Sequence, residues 1–377
     1  MSDSRIPIAP FELERYFARW EFAAPYILCA SDIEGYPMRE LLALADDESR
    51  ALWDRLTLGY TETPGHPLLR REIARLYTSA GVDDVLTFAG AEEAIYVAMR
   101  VLLQPGDRVV VTWPGYQSLY EVARSIGAQV AFWPAHQTAS GWQFDVDDLR
   151  ALAEPGARLI VANFPHNPTG ALPTAAEWTD IVDIARGIGA TLFSDEVYRL
   201  LEYDPADRLP AAVDGYEKAI SLGVMSKPFG LAGLRIGWIA SHDRDFQNQA
   251  AAYKDYTTIC NGAPSEILAL IALRAREQTL ARSLGIVQAN LRLADRFMAE
   301  HADVFSWPRP RAGTIAFPGL DERFPADAFA ADLVQAEGVL VLPGSVYDYP
   351  GNHFRLGLGR RNLPEALERL GRFIQHR

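Results

Sequence analysis

The chain predicts an α/β fold: a large domain with a mostly parallel sheet between layers of helices, plus a smaller α+β domain. Two observations carry this. Short runs such as VVVTW at 109–113 and LIVAN at 159–163 are continuously apolar, as strands buried on both faces require. Amphipathic helical patterns alternate with them, the order expected of parallel strands joined by crossover helices.

In chain order, a Pro-Gly turn at 105–106 precedes a strand over Asp107–Trp113, then a helix over Gln117–Ile126 and a short strand over Ala128–Trp133. Arg158–Asn163 is a third strand, followed by a helix over Ala175–Arg186 that Gly187 should end. Ala190–Asp195, Lys218–Gly223 and Arg235–Ala240 complete the strands of the large sheet. Beyond Ala240 the pattern changes to long helices at 243–256, 264–282 and 285–301. Short strands near 314–317, 339–342 and 353–356 come next, with a last helix over 364–374. The expected division is a large domain over 46–270 and a small domain from 1–45 with 271–377, residues 1–45 being read as helical.

The composition bounds the function. The chain has 377 residues, 49% of them hydrophobic and 23% charged, with a net charge of −13. Such an acidic protein should repel nucleic acid and anionic membranes. Only two cysteines are present, Cys29 and Cys260, with no ligand-spaced neighbours, and the seven histidines form no HxxxH pair. This argues against a disulfide framework and a metal site and fits a reducing cytoplasm. Met1–Pro10 has no apolar core of signal-peptide length, and no window reaches eighteen consecutive apolar residues.

Ligands of open α/β sheets sit beyond the carboxyl ends of the strands. There the chain places Asn167 in NFPHNPTG, Asp195 and Tyr198 in SDEVY, and Ser226, Lys227 and Arg235 in MSKPFGLAGLR. An amide, a carboxylate with a phenol, and a lysine with an arginine suit a polar aromatic cofactor carrying a phosphate. Taken singly, each has an ordinary reading: Asn-Pro-Thr-Gly is a good turn, and Asp195 could be a helix N-cap.

The ordered set NPTG, SDEVY and SKxxGLxGLRxGW, with 28 residues from Asn167 to Asp195 and 32 from Asp195 to Lys227, resembles fold-type I pyridoxal-phosphate enzymes of the aspartate aminotransferase family, class I/II. The resemblance runs from Gly35 to Arg355. It implies pyridoxal 5′-phosphate as cofactor, with Lys227 as the Schiff-base lysine and Asp195 as partner of the pyridine nitrogen. Asn167 and Tyr198 would hold the phenolic oxygen, and Ser226 and Arg235 the phosphate. Gly90, Ala91 and Glu92, opening a helix that runs from about Thr87 to Leu103, would cradle the phosphate through main-chain atoms. Tyr116 would stack on the ring, and Tyr60 would reach the phosphate of a neighbouring subunit, making a homodimer with shared active sites. Arg355 would clamp the substrate α-carboxylate, with Gly35 bordering the substrate.

Two departures stand out. Val224 replaces the Ser or Thr that many members use as a further phosphate contact. The stretch Lys254–Ala263 lacks an arginine for a distal carboxylate, so aspartate is an unexpected substrate. NFPHNPTG, with His166, and KDYTT also resemble the capreomycidine synthase-like cyclising subgroup. The implied activity is transfer of the α-amino group of an L-amino acid to a 2-oxo acid. A lyase or cyclase acting on a single amino acid is the alternative.

Overall fold

The computed structural model describes residues 8–154 and 156–376; Met1–Pro7, within the N-terminal segment read as helical, lie outside them. Eight strands form the main sheet: β1 (Val85–Phe88), β2 (Arg108–Trp113), β3 (Gln129–Thr138), β4 (Gly141–Phe144), β5 (Leu159–Asn163), β6 (Thr191–Asp195), β7 (Ala219–Val224) and β8 (Gly237–Ser241). Their spatial order is β1-β8-β7-β6-β5-β2-β3-β4. The central run β7-β6-β5-β2-β3 is parallel, whereas β8 is antiparallel to both its neighbours.

The continuous apolar runs are explained by the two faces. Val109, Val111, Leu159, Val161, Phe193 and Leu222 pack on one side with helices Ala91–Leu102, Ser118–Ile126 and Arg244–Lys254. Their neighbours Val110, Ile160, Ala162, Leu192 and Ala219 face helices Val146–Ala153 and Ala175–Ile188 on the other. Alternate residues thus enter opposite cores, so both must be apolar.

Several elements differ from expectation. Thr87 and Phe88 end β1, and the following helix starts at Ala91. Helix Ala175–Ile188 continues through Gly187 and stops at Gly189, whose φ of +71° is the left-handed conformation a C-cap needs. The break expected between 282 and 285 lies at Ala275, leaving Arg276–Glu300 as one helix containing Gly285.

The smaller unit carries helices Ala326–Glu337 and Leu363–Gln375 around short strands. Phe354–Gly357 pairs antiparallel with Ile315–Ala316 and Leu342–Pro343. The N-terminal segment contains helix Glu12–Trp20 and a short strand, Tyr26–Ile27, which pairs in parallel with Val339–Leu340. Farther along, Leu41, Leu42 and Leu44 pack instead with Ile267 and Ile271 of helix Ala263–Arg274. Among the described residues no helix is long and apolar enough to cross a membrane.

Candidate active site

β5 and β6 pair in register, Asn163 opposite Asp195, and Asp195 stands opposite Leu222 of β7. This brings the chemistry of three strand ends to one place. A cavity of about 310 Å³ opens there, bounded by Asn167, Asp195, Tyr198, Ser226, Lys227 and Arg235. Ala91, Glu92, Tyr116 and Arg355 complete its wall.

Lys227 Nζ donates to Ser31 Oγ at 2.8 Å and stands 5.7 Å from the centre of the Tyr198 ring. Burial pushes its ammonium down to about 8; Asp32 and Asp195 oppose that shift, while Arg355 adds to it. Asp195 is buried at the end of β6 and accepts from Val197 N at 3.2 Å. Burial raises its carboxyl to about 7, against the pull of that N–H and of Lys227. Burial also raises the Tyr198 phenol far above its usual value.

Asn163 acts as a bracket, its Nδ2 donating to the Asp195 carbonyl at 3.0 Å and its Oδ1 accepting from Asn167 N at 2.8 Å. Arg355, 1% exposed, donates through Nε to the Cys29 carbonyl at 3.0 Å. Its Nη1 donates to the Tyr347 hydroxyl at 2.6 Å and to Asn167 Oδ1 at 3.4 Å. Nη2 is buried with no partner.

Helix Ala91–Leu102 starts at Gly90 with no side-chain cap, and Gly90 has φ +93°. A Cβ on Gly90 would stand 2.4 Å from Arg235 Nη2, and one on Gly237 would meet Ala91 N at 2.6 Å. Unsubstituted backbone at both positions lets Arg235 and the first helical N–H groups converge, an arrangement suited to an anion. Glu92 is turned aside, accepting from Ser118 Oγ at 3.1 Å and from the Tyr116 phenol. Tyr116 also packs on Phe11, ring centres 5.1 Å apart.

Three expected residues are not in the cavity wall: Gly90, which immediately precedes Ala91 of that wall, Gly35 and Tyr60. Gly35 lies farther along the N-terminal segment, its carbonyl accepting from Arg282 Nη2 at 3.3 Å. Tyr60 is 91% exposed and takes no part in lining the cavity of its own chain. Val224 does line the cavity. His166 is fully buried and pairs through Nδ1 with Thr169 Oγ1 at 2.8 Å, packed against Phe144. It belongs to the core. Ser31, Asn163, Tyr347 and the face of helix Glu12–Trp20 escaped the sequence reading. Ser31, Tyr347 and the helix work through contacts distant in sequence, whereas Asn163 joins a distant contact to Asp195 with a local one to Asn167.

The cavity fits the cofactor that the motifs suggest. Asp195 is a buried carboxylate that can accept a ring N–H, and the helix N-terminus beside Arg235, with no side-chain cap, suits an anion. Lys227 offers the amine. Residues 28–370 match the family described as aminotransferase class I and II, and the chain belongs to that family. It is a pyridoxal-phosphate-dependent enzyme. Capreomycidine synthase from Streptomyces vinaceus is 32% identical, with 97% of this chain and 94% of that one covered. The structure of a PLP-dependent aminotransferase from Streptococcus suis 89-1591 superimposes with a TM-score of 0.92 at 30% identity, covering 98% of this chain and 99% of that one. The PLP-dependent cyclase OrfR gives 0.89 at 27% identity, with each chain covered completely.

Proposed function

We propose that this enzyme is a cytoplasmic aminotransferase moving the α-amino group of an L-amino acid to a 2-oxo acid. The observation that carries the reading is the pairing, in one cavity, of the Lys227 amine with the unpartnered Nη2 of Arg355. That guanidinium edge is free to grip an α-carboxylate while the amine serves the adjacent Cα.

Bound pyridoxal phosphate supplies an electron sink for the electrons released at Cα. The side chains do the rest. Lys227 would anchor the cofactor and, once released, carry a proton to and from Cα, its depressed basicity suiting both directions near neutral pH. Asp195 would hold the proton on the ring nitrogen. Asn167, fixed by Asn163, Tyr347 and Arg355, would orient the phenolic oxygen together with Tyr198. Ser226, Arg235 and the main chain of Gly90, Ala91 and Glu92 would hold the phosphate, and Tyr116 would flank the ring.

Tyr60 would act in the partner site of a homodimer. Its exposure, shared by Leu58 (87%) and Tyr256 (92%), supports this, as does the bond from Thr61 Oγ1 to the Asn261 carbonyl that ties its loop to the segment after Tyr256. Gly35 would border the substrate only through the segment it shares with Ser31.

The visible absorbance of the cofactor-loaded enzyme, followed on adding single amino acids, tests the reaction. A transaminase loses the initial band and regains it only when a 2-oxo acid is supplied. The similarity to capreomycidine synthase and to OrfR over essentially whole chains favours a second reading, cyclisation or elimination on one amino acid. Recovery of the band without an oxo acid, while the amino acid disappears, would select that reading.

A further inference from the structure

The cavity holds more carboxylates than its assigned chemistry uses. Asp195 would serve the ring nitrogen, and Asp32 is paired with Arg360 at 2.9 Å. Glu92 is held by Ser118 and Tyr116. Glu14 and Glu21 remain. Both line the cavity, and among the described residues neither makes an ion pair. Glu14 lies in helix Glu12–Trp20 and Glu21 is its C-cap residue, three residues before and four after Phe17. The Phe17 ring lies 5.8 Å from the Arg355 guanidinium carbon. One turn separates Phe17 from Glu21, about 6 Å along the axis.

A second feature, independent of these carboxylates, marks where a ligand belongs. Arg355 is 1% exposed, lines the same cavity and has an orphaned Nη2. A substrate whose α-carboxylate met Nη2 would lie against Phe17, with Glu14 and Glu21 flanking it on either side. The cations of the cavity wall are Lys227, Arg235 and Arg355, each already given a role, so none is left for an anionic side chain. Around Glu21 the carboxylates predominate: burial raises its pKa, Asp32 and Glu14 raise it further, and Arg360, already paired with Asp32, opposes them.

Resting on the reading of Arg355 as the carboxylate clamp, we propose that Glu14 and Glu21 select substrates with a cationic side-chain end, a guanidinium or an ammonium. Its planar fork lets a guanidinium bond to both carboxylates, whereas an ammonium is held as a point charge.

The test uses the cofactor-loaded full chain and compares L-arginine and L-ornithine with uncharged L-citrulline and L-norvaline. Two readouts are taken: kcat/KM, and the dissociation constant from titrating the cofactor absorbance. The cationic pair should be favoured about 10- to 100-fold, the scale of a charge-assisted hydrogen bond. Glu14→Gln and Glu21→Gln should each erode that preference by roughly tenfold, and the double variant should bring it within about 3-fold, the loss falling mainly on arginine and ornithine. Arginine over ornithine would mark the guanidinium, and the reverse the ammonium.

Equal treatment of arginine and citrulline, preference for acidic amino acids, or a ratio surviving in the double variant would overturn the proposal. The wild-type comparison decides even if a variant does not fold. If no amino acid of any charge alters the absorbance, the amino-acid reading itself falls, and this proposal with it.

Discussion

Two lysines of this chain sit in surroundings that push their ammonium groups down to about 8, burial leading in each case. Lys227 borders a cavity and has one side-chain partner, the Ser31 hydroxyl. Lys254 is 0% exposed, donates to the Thr63 carbonyl at 2.6 Å and Asn261 Oδ1 at 3.0 Å, and lines no cavity described above. Nearby, Glu266 accepts from His66 N at 3.3 Å, and burial raises its carboxyl to about 7. The same perturbation therefore accompanies two different jobs. What separates them is whether a small molecule can reach the amine.

The sharpest way to break this contrast is to remove each amine. Lys227→Ala should lower turnover by about 10³-fold or more with the fold retained, as circular dichroism would check. Comparable turnover in that variant would defeat the assignment.

The place of Lys227 in the cavity wall was legible because its motif follows a strand end, where a local run of residues reaches the cavity. The continuously buried strands were legible for a similar reason: burial on both faces writes itself into every residue. The direction of β8 was not, since Gly237–Ser241 is apolar whichever way it runs. Nor could the sequence tell Gly187 from Gly189 as the helix stop, because only the backbone turn distinguishes two glycines separated by one isoleucine. Ser31 and Tyr347 were invisible for a different reason. Tyr347 matters through its bonds to Arg355 and to Asn167, the latter 180 residues away.

Arg355→Gln comes next in size. Losing the free guanidinium edge should raise KM for any α-amino acid about 10- to 100-fold, with a smaller fall in kcat. An unchanged KM would place the carboxylate elsewhere.

Gly90→Ala forces a Cβ against Arg235 at a positive φ. Cofactor affinity should fall by roughly tenfold, read by equilibrium dialysis, because Arg235 must move. Full affinity would mean that the phosphate is held without it.

Lys254→Met should scarcely touch turnover per folded molecule, the smallest catalytic effect of the series. Near pH 7 two opposed effects meet in its stability: the Thr63 carbonyl loses its donor, at a cost of about 1–3 kcal/mol, while the penalty of burying the ammonium disappears and Asn261 Oδ1 keeps the Thr87 hydroxyl. Its pH signature is specific. The ordinary lysine value of 10.5 applies in the unfolded chain, and about 8 in the fold. Between these the unfolded state binds the extra proton, so this group's contribution rises with pH through that window and is lost as pH falls to 8. The variant should lack about 1.4 kcal/mol per pH unit of that slope, measured from urea midpoints. An unaltered slope would show that Lys254 does not titrate there.

The segment from Tyr26 to Glu34 has one more consequence, for the order of events during synthesis. The Leu28 carbonyl accepts from Gly357 N at 2.6 Å, the Cys29 carbonyl from Arg355 and the Ser31 carbonyl from Thr314 Oγ1, while Glu34 N donates to the Gly359 carbonyl at 2.9 Å. Cys29 and Arg355 are 326 positions apart. At roughly 5–20 residues per second, a ribosome takes tens of seconds to make the second after the first. The strap that seats Lys227 is thus among the first parts translated and among the last to find its partners. A nascent chain can complete its central sheet long before it owns a working catalytic centre.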